Sequence, residues 1–303
     1  MHRVLSGALR LENFSLAIAD LPERLHGTKL VHLSDFHYDG LRLSNKMLHE
    51  AIEASNRAEP DIIVLTGDYV TTDPAPVRDL ARFLQRLNPR VGIYACMGNH
   101  DLIYSHSRAE ITDALTCAGI QVLWNEVTYP LGDELAIVGL ADFWSGEFKP
   151  SRAFKNIDPD TPRLVLSHNP DTAKPLKRWR VDLQLSGHTH GGQIRIPGIG
   201  PVASCLKPLR RITPKSIRRF IPYMSACNRV VEHWEWAAGL HRVGDNLMYV
   251  NRGLGTYLPG RLFCPPEVTV MTFKATDRKP LDPEGWGSTI GAGSVEGRGY
   301  GDE

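Results

Sequence analysis

Apolar residues gather along this chain in short runs that end abruptly in polar ones. KLVHLSD (29–35), DIIVLTGD (61–68) and VGIYACMGNHD (91–101) each read as a buried strand running into an acid or an amide. Between and after them, SNKMLHEAIEASNRA (44–58), PVRDLARFLQRL (76–87) and SRAEITDALTCAG (107–119) repeat apolar residues at helical spacing. Ser44 is placed to cap the first helix and Gly119 to stop the third. ELAIVGLADF (134–143), RLVLSHNP (163–170), VDLQLSGHTH (181–190), NLMYVNRGLG (246–255) and EVTVMTF (267–273) supply further strands, and a hairpin is expected at the N-terminus. Strand and helix alternate in the first half, which predicts parallel strands with right-handed crossovers. Strands follow one another more closely in the second half, which predicts a mixed sheet or a second one. The fold class is therefore α/β with mixed sheets. One domain is expected over 1–273, with an insertion at 205–245 and a Gly-rich, disordered tail over 274–303.

Composition narrows the picture only a little. With 35 basic and 34 acidic residues, the net charge of +1 gives no global grip on nucleic acid. Five scattered cysteines without a CxxC pair argue against a disulfide framework or a thiolate zinc site and suit a reducing compartment. No signal peptide and no run of some 18 apolar residues is apparent, so a cytoplasmic protein is expected.

The polar residues at the strand ends carry the chemistry. In order they are Asp35 and His37, Asp68, then Asn99, His100 and Asp101, then His168, and finally His188 and His190. Ligands collect beyond the carboxyl ends of strands in sheets of this kind. One histidine after a strand is usually a hydrogen-bonded structural residue, and one Gly-Asp is usually a turn. Five strand ends offering oxygen or nitrogen together suggest a metal centre. Carboxylate, imidazole and amide donors suit Mn²⁺, Fe²⁺ or Zn²⁺. Seven candidate ligands among these nine residues exceed the needs of one ion and suit two, about 3.5–4 Å apart, with a shared carboxylate.

The ordered blocks D-x-H, GD, GNHD, a lone His and GHTH resemble the calcineurin-like metallophosphoesterase superfamily. The resemblance covers roughly 29–190, and reaches about 273 if NRGLGTYLPGRLFCPPE is the final-strand region. It implies a four-layer αββα sandwich of two mixed sheets flanked by helices, with a dinuclear centre at the strand ends. It further implies that Asp35, His37 and His190 hold one metal, that Asn99, His168 and His188 hold the second, and that Asp68 bridges. His100 would stabilise or protonate the leaving group, and Asp101 would orient His100 or cap a helix. The implied activity is hydrolysis of a phosphodiester or pyrophosphate bond by a metal-bridging hydroxide, with two divalent ions, Mn²⁺ foremost.

Departures from the family's branches narrow the substrate. GDYVTTD lacks the Asp-Arg-Gly that protein Ser/Thr phosphatases carry after GDYV, and Thr71 stands where purple acid phosphatases place a tyrosine. The ending resembles bacterial phosphodiesterases, some of which cleave UDP-2,3-diacylglucosamine in lipid A synthesis. CLKPLRRITPKSIRRFIPYM (205–224) carries Lys207, Arg210, Arg211, Lys215, Arg218 and Arg219 without an acid. Such a stretch suits either an anionic membrane surface, met from the cytoplasmic side, or plain solvent. His233 and His241 read as packing or substrate-rim residues, Tyr69 as a packing residue, and Trp124 and Trp144 as core. The expected partner is a small or lipid-linked phosphoester. Alternatives are a nuclease, a cyclic-nucleotide phosphodiesterase, or a non-enzymatic scaffold on the same fold.

Overall fold

The computed structural model describes residues 6–204, 213, 214, 217 and 230–276. Its first sheet contains β1 (Arg10–Ala19), β2 (Lys29–Leu33), β3 (Ile62–Leu65), β4 (Gly92–Ala95), β5 (Ile120–Val122) and β14 (Glu267–Thr276), in the order β1-β14-β2-β3-β4-β5. The second contains β6 (Glu126–Thr128), β7 (Ala136–Gly139), β8 (Arg163–Leu166), β9 (Leu183–Ser186), β12 (Gly239–Val243) and β13 (Asn246–Val250), in the order β12-β13-β9-β8-β7-β6. A small pair, β10 (Arg195–Ile196) with β11 (Gly200–Pro201), stands apart.

Neighbouring strands β2 to β5 are parallel, as are β7, β8, β9 and β13. Antiparallel neighbours flank each run, β14 beside β2 in the first sheet and β6 and β12 in the second. Both sheets are thus mixed, as the strand spacing predicts. Their central strands are buried along their whole length, which is why they read as unbroken apolar runs.

Three hydrophobic layers hold the sandwich. Leu30, Ile62 and Val64 of the first sheet meet Ile137, Leu164, Leu183 and Leu185 of the second. On the far side, Val31, Ile63 and Ile93 pack on α1 (Asn45–Arg57), α2 (Val77–Leu84) and α3 (Ser107–Cys117). Val138 and Val165 do the same with α4 (Pro150–Phe154) and α5 (Ala173–Leu176). Ser44 caps α1 as expected, its hydroxyl accepting the Met47 N–H at 3.2 Å.

The N-terminal segment corrects an expectation. It is no hairpin: β1 is one strand paired in parallel with β14, from Arg10 opposite Glu267 to Ala19 opposite Thr276. Apolar alternation announces a strand but is silent about a partner 257 residues away, and only tertiary pairing settles it. The same pairing carries β14 through Lys274–Thr276, past the expected start of the tail. Most of the basic stretch 205–224 and all of 277–303 lie outside the described residues, whereas the end of the expected insertion forms β12, an edge strand.

His32 in β2 is fully buried, with Nε2 2.8 Å from the Thr66 hydroxyl and Nδ1 without a partner. Burial pushes its pKa down to about 3. The unfolded chain therefore takes up a proton below pH 6.5 that the folded chain refuses until about pH 3, so stability falls with pH across that window. At pH 5 this one group costs the folded state about 2 kcal/mol. His32→Gln is expected to show a smaller drop in melting temperature between pH 7 and pH 5 than the wild type. An equal drop would assign the acid sensitivity elsewhere.

Candidate metal centre

Parallel pairing brings the carboxyl ends of the central strands in each sheet to one edge, and the two edges meet. Asp35 and His37 follow β2, Asp68 follows β3, and Asn99 and His100 follow β4. From the facing sheet, His168 follows β8, while His188 and His190 follow β9. The ligand atoms of Asp35, His37 and His190 lie within 4.8 Å of one another. So do those of Asp68, His168 and His188, and those of His37, Asp68 and His100. Asp68 belongs to two of the three trios and links them: its Oδ2 is 3.4 Å from His37 Nε2 and 3.1 Å from His168 Nε2.

The loops that do this adopt a backbone shape that side chains rarely accept. Asp35, His37, Asp68, His188 and His190 all have positive φ, between 43° and 71°. Each costs on the order of 1 kcal/mol, and such residues cluster where function demands them. Two glycines make room. A Cβ on Gly98 would stand 2.2 Å from Asp68 Oδ1, and one on Gly187 would stand 2.2 Å from Asp35 Oδ2.

Each imidazole is held by one nitrogen and presents the other. His168 Nδ1 lies 2.6 Å from the Thr66 carbonyl, His190 Nδ1 3.2 Å from that of Gly255, and His188 Nε2 2.7 Å from that of Val230. His37 Nδ1 is 3.0 Å from the Tyr257 hydroxyl, and His100 Nδ1 is 2.6 Å from the Thr71 carbonyl. A carbonyl must accept, so at His168, His188, His190 and His100 the tethered nitrogen carries a proton, and the other nitrogen is turned to the centre. This is the arrangement metal-binding histidines use.

These inward nitrogens face one another. His37 Nε2 and His190 Nε2 are 3.1 Å apart, as are His188 Nδ1 and His168 Nε2. Burial pushes His37 and His188 down to about 3 and His190 well below its ordinary value. Burial also works against charge on His168, but the carboxylates of Asp68, Asp35 and Asp142 outweigh it and push the ring up to about 10. Burial raises Asp35 to about 6. Asp68 is desolvated too, yet His168 and His100 hold it well below the usual carboxylate range. Asn99 Oδ1 is buried without a hydrogen-bond partner among the described residues. An orphaned amide oxygen, two carboxylates and neutral imidazoles with converging lone pairs fit divalent cations, and nitrogen and oxygen donors without thiolate suit borderline or hard ones.

A family description for calcineurin-like phosphoesterases matches residues 28–192. The chain belongs to that family. It is 33% identical over 249 residues to the phosphodiesterase YaeI of Escherichia coli, covering 80% of this chain and 81% of the relative. The UDP-2,3-diacylglucosamine pyrophosphatase LpxG of Chlamydia muridarum is 30% identical over 296 residues, covering 82% and 84%. A metallophosphoesterase of Bacillus subtilis, YkuE, is 32% identical over 264 residues, covering 85% and 82%. The protein is a metal-dependent hydrolase of phosphoester bonds.

Within this phosphoesterase, Asp101 does not orient His100. Its Oδ2 accepts the N–H groups of Asp68 and Gly98 at 2.8 and 2.9 Å, and its Oδ1 accepts those of Tyr69 and Val70 at 2.8 and 3.3 Å. The carboxylate thus moulds the loop that presents Asp68, and adjacency to His100 in sequence misled the expectation. Nor is Trp144 core: it is 48% exposed, with its ring edge-on to His188 at 4.9 Å between centroids. Trp124 is partly buried and donates its indole N–H to Glu147 at 2.8 Å. Tyr69 is fully buried, as expected. His233 stacks on Trp236 at 4.1 Å and His241 leans on the Ala238 carbonyl, away from the clusters.

Two supporting residues escaped the sequence reading. Tyr257 steadies His37, and the Arg42 guanidinium lies over its ring at 4.6 Å. Arg261 donates to the carbonyls of Arg252, Gly253 and Gly255, fixing the turn against which His190 leans. Both stand in the quoted NRGLGTYLPGRL, which has no periodicity to reveal such work.

If Asp101 shapes the Asp68 loop, Asp101→Asn leaves an amide group facing backbone donors. Metal affinity, measured by dialysis and elemental analysis, is expected to fall about 10–100-fold. Full metal content with a slowed reaction would instead restore the His100-orienting role.

Proposed function

We propose that the enzyme hydrolyses a phosphodiester or pyrophosphate bond in a lipid-linked substrate, of which UDP-2,3-diacylglucosamine is one example. Asp35, His37 and His190 hold one divalent cation in this reading, Asn99, His168 and His188 the other, and Asp68 both. Mn²⁺ suits that donor set, ahead of Fe²⁺ and Zn²⁺. Such ions, when bound, supply Lewis acidity to the phosphoryl oxygens and an activated water.

One observation carries the choice of substrate. A cavity of about 460 Å³ begins at Asp68, Asn99 and His100 and continues along Ile194, Val202, Val230 and Trp234. Those walls are apolar, so they favour an acyl or other hydrophobic substituent and offer little to a polyanion. Leu258, 79% exposed, stands at its rim, and nearby Leu262 and Phe263 are exposed as well. Exposed apolar loops at the mouth of an apolar cavity suit contact with a bilayer surface. The name of the similar LpxG points the same way.

His100 is the group that faces the departing oxygen. The Thr71 carbonyl accepts from its Nδ1–H and fixes the ring, leaving Nε2 as the nitrogen turned to the leaving group. Its half-buried place in the cavity wall, where the other histidines of the centre are buried, suits that task.

Metal-reconstituted enzyme should cleave a bis-aryl phosphodiester and a UDP-acylsugar in detergent, and leave a simple phosphomonoester nearly untouched. Turnover of the monoester alone would defeat the proposal, and preference for a cyclic nucleotide would move it to another substrate class. His100→Ala is expected to keep its metal and lose about 10²–10⁴ in rate. The loss should be greater for an alkyl leaving group than for nitrophenolate; proportionate losses would remove His100 from the leaving-group side.

A further inference from the structure

A second cavity opens on the same centre. It holds about 410 Å³ and shares Asn99 and Trp144 with the apolar one. Tyr104, Arg108, Trp124 and Asp142 complete the walls that matter here. Trp144, edge-on to His188, therefore divides two arms that meet at the candidate metal ligands.

Asp142 is the unexpected member. It follows β7, the strand beside β8, and belongs to none of the three clusters of candidate ligands. Only 2% of it is exposed. Its Oδ1 accepts the Trp144 N–H at 2.9 Å, while its Oδ2 is buried with no hydrogen-bond partner among the described residues. A carboxylate oxygen hidden from water without a donor is costly, and native structures keep such an atom where something supplies one.

The rest of the arm limits what that donor belongs to. Arg108 is already matched by Glu147, through contacts of 3.1 and 3.0 Å, and lies over the Trp124 ring at 4.9 Å. With Glu147 and Asp142 both present, the arm has no cation to spare for a second anion among the described residues. Trp144, 48% exposed, offers an aromatic face, while Tyr104 is already stacked on His106. An acceptor without a donor beside an exposed indole suits a neutral, hydroxyl-bearing, planar group.

We propose that this arm binds the ribonucleoside part of the substrate, with Asp142 Oδ2 accepting a ribose hydroxyl and the base lying against Trp144. The assignment rests on the reading of the enzyme as one that cleaves a nucleotide-containing diester or pyrophosphate. It adds a division of labour: the apolar arm takes the lipid side of the scissile bond, and the polar arm takes the nucleoside side.

The test is binding of α,β-methylene-UDP, whose bridging carbon resists cleavage, and of its dideoxy counterpart lacking both ribose hydroxyls. Calorimetry on metal-loaded, full-length protein is expected to show the ribonucleotide binding about 10–100-fold more tightly, the scale of a hydrogen bond to a charged acceptor. Asp142→Ala should bind the two equally, and Trp144→Ala should weaken both while keeping the preference. Equal affinities in the wild type overturn the proposal, as does a preference that survives in Asp142→Ala. The wild-type comparison decides alone if Asp142→Ala does not melt cooperatively. Cleavage of a bis-aryl diester, measured beside it, reports separately on the hydrolase reading. Should that cleavage stand while both nucleotides bind alike, only the nucleoside arm is lost.

Discussion

Two carboxylates and three neutral imidazoles buried together, lone pairs inward, set the terms for the rest of this molecule. Asp35 and Asp68 are essentially inaccessible, and His37, His188 and His190 are pushed by burial towards their uncharged forms. Proteins do not keep such a group together unless a cation balances it. Here the balance without metal is a proton on His168, drawn there by Asp68. A divalent ion would displace that proton, so metal uptake and proton release are linked by the same geometry. The left-handed backbone at five of the seven candidate ligands, and the glycines pressed against Asp35 and Asp68, are what it takes to bring those atoms within reach.

The sandwich is arranged to supply that reach. Parallel pairing places successive strand ends side by side, and the apolar layer between the sheets holds the two edges face to face. His188 shows how closely they are joined. It comes from the second sheet, yet its backbone N–H lies 2.9 and 3.0 Å from the two oxygens of Asp35 in the first. Shifting either sheet by one residue would turn the ligands away from one another and expose an apolar face.

Much of this was legible because short buried strands end in conspicuous polar residues. Position at the strand ends singled out Asp35, His37, Asp68, Asn99, His168, His188 and His190 together with His100 and Asp101, the resemblance separated the candidate ligands from the other two, and the structure brings these seven to one place. Pairing across the chain could not be read so, and β1 was therefore given the wrong partner. Asp101 was legible as important and illegible as to purpose, because a carboxylate beside a histidine looks the same in sequence whichever way it turns. Trp144 read as core because a tryptophan is usually buried; its exposure depends on the loop after β7 curling towards His188. Asp142 stands in the same loop and was passed over. An acid after an apolar run is ordinary, and only the missing donor at Oδ2 sets it apart.

A pair of metal ions has little means of telling one phosphoester from another, since each presents much the same oxygens. Selection therefore falls to the walls. Here they are unlike: one side is lined by Ile194, Val202, Val230 and Trp234, the other by Asp142, Glu147 and exposed rings. A substrate with two similar ends would leave one wall mismatched, either hydrating apolar surface or burying a carboxylate without a donor. A substrate with one greasy end and one hydroxyl-bearing end matches both. Such a molecule could sit in only one direction, which would place the same leaving group against His100 at every turnover. On the proposed reading, the contrast between the arms would add orientation, rather than extra affinity, to catalysis.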